Sequence, residues 1–162
     1  MADGNPVLCV EHRWTYDALG PVPEEMYAVP FGKGIIRMEG TDVTVVAVSQ
    51  MLYESIKAAR ILAEEGISVE VIDPRTLVPL DMELIEESVR RTGRLVVTEP
   101  ACRTGGVAAE IVCRLAESAP DILKKAIRRV GFPDTPTPCS PVLENLYYPG
   151  CDDMVTTIKE MM

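Results

Sequence analysis

Val43 to Val48 is a nearly continuous run of β-branched residues, interrupted only by Ala47. A strand with one wet face alternates apolar and polar side chains. An unbroken run instead belongs in a sheet covered on both faces, the usual setting of parallel strands. The next segments of the chain fit that setting. Positions 51–65 place Leu52, Ile56, Ala59 and Leu62 on one helical face and end at Gly66, a residue suited to a left-handed stop. Ile67 to Ile72 reads as a second strand, and Asp81 is placed to cap a helix that buries Met82, Ile85 and Val89 and stops at Gly93. Leu95-Val96-Val97, bounded by Gly93 and Pro100, is a third buried strand.

A polar loop carrying Glu99, Arg103 and Thr104 then leads through Gly105-Gly106 into a helix over 106–118. Ala108, Ile111, Val112 and Leu115 share one face of that helix, and Glu110, Arg114 and Glu117 the other. Asp121 to Ala126 has room for a further turn or two, and Ile127 to Val130 is a fourth strand. A proline-rich loop over 131–150 comes next, and Asp152 is expected to cap a last helix presenting Met154, Val155, Ile158 and Met161. Strands alternating with helices in this way predict an α/β fold. Its form is a three-layer α/β/α sandwich around a mostly parallel sheet with right-handed crossovers.

The amino-terminal region does not share this rhythm. Pro6 to Val10 reads as one short strand with no neighbour to pair with, like the tail end of another sheet. Gly20-Pro21-Val22-Pro23, Pro30 and Gly32-Lys33-Gly34 then make an arm that resists helix or central strand and should run over a surface. The expected division is therefore 1–40, a remnant last strand of a preceding domain plus a linker arm, and 41–162, the α/β domain.

Charge and cysteine usage narrow the functional classes. With 16 Lys and Arg against 25 Asp and Glu, the formal charge is −9. That balance argues against nucleic acid and anionic membrane as partners and allows attraction to a basic protein. No apolar run approaches the length of a membrane span, and the amino terminus lacks a signal-peptide core. Five cysteines without a C-x-x-C pair, beside the single His12, suggest reduced thiols in a cytoplasmic protein and no zinc site.

No catalytic constellation is legible. A G-x-S-x-G elbow is absent, and one histidine leaves little room for a triad. Adjacent acids such as Glu64-Glu65 and Glu86-Glu87 point apart on helices and read as solvated faces. His12 reads as an interface or capping residue ahead of a general base. Asp73, Arg75, Glu99, Arg103, Gly105 and Gly106 fall at the carboxyl ends of strands, where ligands and partners meet open α/β sheets. They are the candidate rim. An ion-pair network holding the loops is favoured over substrate contact for Arg75, and a tight turn with close helix packing over a phosphate cradle for the glycines.

Several runs in order resemble one family. Glu11-His12-Arg13-Trp14, Val22-Pro23-Glu24-Glu25 and Pro30-Phe31-Gly32-Lys33-Gly34 resemble the arm of the beta subunit of thiamine-diphosphate-dependent 2-oxo acid dehydrogenases. Glu39 to Thr44 resembles the entrance to that subunit's carboxy-terminal domain, and Val71 to Asp81 its most recognisable signature. Arg91 to Val97, Thr104 to Ile111, Pro133 to Pro138 and Tyr148-Pro149 complete the series, which runs from about Pro6 onwards. Thr98 stands where members commonly carry histidine, and Val107 where an aromatic often follows the glycine pair.

The resemblance implies a transketolase-type carboxy-terminal domain. Its work would be to pair subunits, support the cofactor site from outside and dock the acyltransferase that receives the acyl group. The arm 20–34 and the orphan strand 6–10 leave apolar groups, including Leu8, Val10 and Trp14, that a monomer covers poorly, which predicts a homodimer. The resemblance implies association with an alpha subunit or a missing amino-terminal half. It implies thiamine diphosphate and magnesium in the complete enzyme but no cofactor, metal or catalytic residue in this chain, which is expected to be inactive alone. The chain would be an excised piece or a separately encoded half. Glu144, Asp152, Asp153 and Glu160 are the candidate acidic docking residues for the basic binding domain of the acyltransferase. A fragment of transketolase or deoxyxylulose-phosphate synthase, and a free-standing small-ligand-binding α/β module, are the alternatives.

Overall fold

The computed structural model describes residues 4–162. Its centre is a five-stranded sheet built from β1 (Ile35–Met38), β2 (Val43–Ala47), β3 (Val69–Asp73), β4 (Leu95–Cys102) and β5 (Arg128–Phe132), in the spatial order β1-β3-β2-β4-β5. β2, β3, β4 and β5 are parallel neighbours, and β1 lies antiparallel on the β3 edge. The helices are α1 (Met51–Glu64), α2 (Met82–Thr92), α3 (Val107–Ser118), α4 (Pro141–Tyr147) and α5 (Cys151–Lys159). The expected mostly parallel, three-layer architecture is the one found.

The Val43 run earns its place by burial, since every residue of β2 is fully enclosed. Val43 and Val45, with Val71 and Val96, meet α1 and α5 through Ala58, Ala59, Leu62, Met154 and Ile158. Val46, Ile72, Leu95 and Val97 meet α2 and α3 through Ile85, Val89, Ala108, Ile111 and Leu115. Thr44 is the polar member of that second face. Its hydroxyl lies 2.6 Å from Ser88 Oγ and 2.8 Å from Thr92 Oγ1 on α2, so its burial leaves no hydrogen bond unmade.

Helix ends follow local chemistry. Asp81 Oδ1 accepts from Leu84 N at 3.4 Å at the start of α2, and Gly93 ends that helix in the left-handed region at φ 73°. At the amino ends of the strands, Arg94 donates from Nε to Met161 O at 3.1 Å and from Nη1 to Asp42 O at 3.0 Å. This guanidinium ties the residues after α5 to the foot of the sheet.

The structure corrects several local expectations. Pro6 to Val10 is exposed and joins no ladder of this sheet, so the strand expected there has no pairing partner among the described residues. β1 itself has no counterpart among the expected strands. The face of α1 is also rotated. Met51, Ser55, Ala58, Ala59 and Leu62 are buried while Leu52 and Ile56 flank them half-buried, since the small side chains let the helix lie close to the sheet. β4 runs on past Pro100 to Cys102, where its register against β5 shifts and spares the proline a ladder N–H. Glu99 therefore belongs to a strand and not to a loop. α4 forms inside the proline-rich stretch, with Pro141 in its first turn. Finally, α5 begins at Cys151, two residues earlier than a cap at Asp152 requires. Asp153, and not Asp152, reaches back to accept from Gly150 N at 2.8 Å.

Candidate functional site

Glu99 is 4% exposed, the most enclosed of the candidate rim residues. Its Oε2 accepts from Val107 N at 2.9 Å and its Oε1 from Ala108 N at 2.8 Å, so both oxygens are committed to the first turn of α3. A carboxylate on a helix amino terminus satisfies orphan N–H donors and complements the helix dipole. Gly105 supplies the turn in the left-handed region at φ 75°. At Gly106 a Cβ would collide with Glu99 Oε1 and lie 2.8 Å from Cys102 O, so only glycine lets the carboxylate approach. The glycine pair thus makes a turn and a close approach.

Asp73 and Arg75 belong to a separate latch. Asp73 Oδ2 accepts from Arg37 Nη2 at 3.0 Å, and Asp73 Oδ1 accepts from the Arg75 backbone N at 3.0 Å. The Arg75 Nε donates to Lys33 O at 2.9 Å. Gly32 N donates to Thr76 Oγ1 at 2.8 Å, and Gly34 N to Asp81 Oδ2 at 3.0 Å. The loop after β3 therefore grips the end of the arm. Arg75 holds a left-handed φ of 55° to do so, and Ser49 after β2 holds 54°. For side chains other than glycine this costs about 1–3 kcal/mol each, an expense typical of rims where a scaffold over-determines the loops.

Arg103 stands apart from both groups. Its N donates to Phe132 O at 3.2 Å and its O accepts from Arg129 Nη1 at 2.8 Å. Arg103, Arg129, Asp153 and Thr157 line a cavity of about 420 Å³ over the end of β5. The six rim candidates thus resolve into three local arrangements, and no bond joins Arg75 to Glu99 or Arg103 among the described residues.

The acidic docking candidates are also spread out. Glu144 lies on α4, and Asp152 and Asp153 start α5 at the rim. Glu160 follows the other end of α5, roughly 12 Å along the helix at 1.5 Å per residue. Two thiols feel neighbouring acids. The carboxylate of Glu117 beside Cys113 pushes that thiol above its ordinary range, and burial, then Glu54 and Asp152, push Cys151 up. Lys57 is raised by its hydrogen bond to Glu54.

An aromatic cluster is the feature that the sequence does not announce. Trp14 meets Tyr148 edge-on with centroids 5.2 Å apart, Tyr148 meets Phe132 at 5.0 Å, and Tyr147 meets both. The adjacent tyrosines are its only local signal. The cluster docks the exposed arm segment Arg13–Thr15 onto the carboxyl end of β5. His12 shapes that segment as a cap, its Nδ1 accepting from Trp14 N at 3.3 Å.

Comparisons with known proteins agree with one another. The family model described as transketolase, C-terminal domain, matches residues 32–154. The beta subunit of acetoin:2,6-dichlorophenolindophenol oxidoreductase from Cupriavidus necator is 42% identical across 100% of this chain and 48% of that protein. The pyruvate dehydrogenase E1 component subunit beta of Bacillus subtilis is 37% identical across 100% of this chain and 50% of that protein. Among solved structures, a split-gene transketolase described as an inactive beta4 tetramer superposes with a TM-score of 0.73 at 31% identity, over 86% of this chain and 45% of that one. The chain spans about half the length of the curated relatives it matches.

Proposed function

The chain belongs to the transketolase C-terminal domain family, and from that membership we propose that it is the carboxy-terminal part of a 2-oxo acid dehydrogenase beta subunit. Its work is assembly and docking in the oxidative decarboxylation of a 2-oxo acid. The observation that carries this reading is the alignment of the whole chain with beta subunits of acetoin and pyruvate enzymes. Two features support it. Glu99 and Asp81, the enclosed carboxylates of the rim, are occupied in holding helices. Leu8, Val10, Trp14, Leu19, Val22, Met26 and Phe31 in the amino-terminal region are all more than half exposed, apolar groups that a partner surface would cover.

The partners in this proposal are a second copy of the chain, an alpha subunit or the remaining part of the enzyme, and the basic binding domain of an acyltransferase. The setting is cytoplasmic. Among the described residues no helix is long and apolar enough to cross a membrane. Thiamine diphosphate and magnesium are the family's cofactors. Among the described residues no group of three or more His, Cys, Asp or Glu could hold a metal ion, so they offer no donor set for the magnesium.

Calorimetric titration of this chain with thiamine diphosphate and magnesium, alongside sedimentation, tests the proposal. The expected result is a self-associating chain without stoichiometric cofactor binding. Micromolar cofactor binding, or a monomer at high protein concentration, would overturn it.

A further inference from the structure

A second cavity, of about 580 Å³, opens where the arm meets the sheet. Trp14 and Tyr148 wall it with planes 81° apart, and Phe132 continues the wall at 69° to Tyr148. Packed edge to face with centroids 5.0–5.2 Å apart, the rings leave no room between one another and offer the cavity the ring surface that they do not turn to each other. Glu11 and Glu144 also line it, against a single guanidinium, that of Arg13. Neither carboxylate has an ion pair or a hydrogen bond to its side chain among the described residues. The floor includes Gln50, in the loop after β2 that also holds the left-handed Ser49. β2 lies between β3 and β4, so the strand order reverses beside it. That crevice, at the carboxyl ends of the strands, is where open α/β sheets take ligands.

We infer that this cavity is a binding site for a small organic cation whose charge is carried on methylated or alkylated nitrogen. Ring faces attract cations through their quadrupole, most strongly for tryptophan, and the two carboxylates supply the counter-charge. An anion would meet those carboxylates. A neutral apolar guest would strip them of water without compensation. A bare ammonium or metal ion would lose more hydration than the rings return, whereas an alkylated nitrogen loses little. The volume falls within the range of small-molecule pockets and is larger than one side chain of a partner would fill. The cavity shares Trp14 with the apolar arm and Glu144 with the acidic docking candidates, but its test, a saturable response to a small cation, is separate from the cofactor titration and the sedimentation.

Trp14 is the only tryptophan of the chain, so its fluorescence reports on the cavity without ambiguity. Choline is the probe, set against its uncharged carbon isostere in which a tert-butyl group replaces trimethylammonium. The expected result is a saturable change in Trp14 emission with choline and a response about 3- to 30-fold weaker with the isostere, the range that a cation–π contribution spans. Tyr148→Leu should abolish saturation, and Glu144→Gln should weaken choline several-fold. Circular dichroism checks that both variants fold. If Tyr148→Leu does not, Glu144→Gln on the exposed α4 still decides, and unchanged affinity there overturns the inference. So does emission that varies only linearly with choline, or an equal response to the isostere.

Discussion

Gly106 is fitted to Glu99: the place where a side chain would start on Gly106 is already taken by Glu99 Oε1 as it accepts from Ala108 N. The turn into α3 and the carboxylate that caps it are thus one device. Glu99→Ala leaves two N–H groups of the first turn without an acceptor and should cost about 2–4 kcal/mol. Gly106→Ala has an allowed backbone, at φ −76° and ψ 165°, and should cost about 1–3 kcal/mol through displacement of Glu99 alone. Urea midpoints with unchanged slopes measure both. A shift near zero in either variant would disprove the fitted pair.

Thr98 is fully buried on β4, and its Oγ1 has no hydrogen-bond partner among the described residues. An unmet hydroxyl in a dry place is a liability that a methyl group of the same shape removes. Thr98→Val should therefore stabilise the chain by about 1 kcal/mol, raising the thermal midpoint by about 2–4 °C. Thermal unfolding followed at the far-ultraviolet helix signal decides it, and destabilisation would mean that the hydroxyl is satisfied after all.

Cys113 and Glu117 sit one helical turn apart on the exposed side of α3, Sγ donating to Oε1 at 3.6 Å. The carboxylate disfavours the thiolate and so raises the thiol's titration. Alkylation follows the thiolate fraction. Labelling of Cys113 by iodoacetamide should accordingly rise with pH later than for a free thiol, and Glu117→Gln should move that rise to lower pH. Peptide mass spectrometry across a pH series reads each site separately, and coincident profiles for the two proteins would refute the coupling.

If acidic groups guide the acyltransferase, charge reversal should act on the association rate. Asp152→Lys and Glu160→Lys suit the test because Asp153 carries the cap on Gly150 and is better left intact. Association with the acyltransferase's binding domain, followed by surface plasmon resonance, should slow several-fold. The difference should fade as salt shortens the screening length below about 8–10 Å. Rates indifferent to both changes would place the contact elsewhere.

Local chemistry decides what is legible in the chain alone. The Val43 run, the stops at Gly66 and Gly93 and the cap at Asp81 each state their role within a few residues. Ile35–Met38 does not, because four residues become a strand only through pairing with Ile72 and Asp73 far along the chain. Pro6–Val10 fails for the converse reason, having strand-like side chains but no segment among the described residues that pairs with it. α4 is hidden because Pro141 reads as one more loop proline, although proline in a first turn also starts helices. At the rim, residue types and strand ends gather candidates that the structure separates into three arrangements. Which groups actually meet depends on side-chain direction: Glu99 turns under α3, whereas Arg75 turns out over the arm.

Arg94, clamped between Asp42 and Met161, fixes more than the last helix. It anchors the residues after α5 at the amino ends of the strands, while the aromatic cavity, the latch on the arm and Glu99 all lie at the carboxyl ends. A biotin or affinity handle appended after Met162 would therefore leave from the pole opposite those features. Immobilised through it, the molecule would stand with its rim toward solution. A handle on the arm would instead bring that rim down onto the sensor.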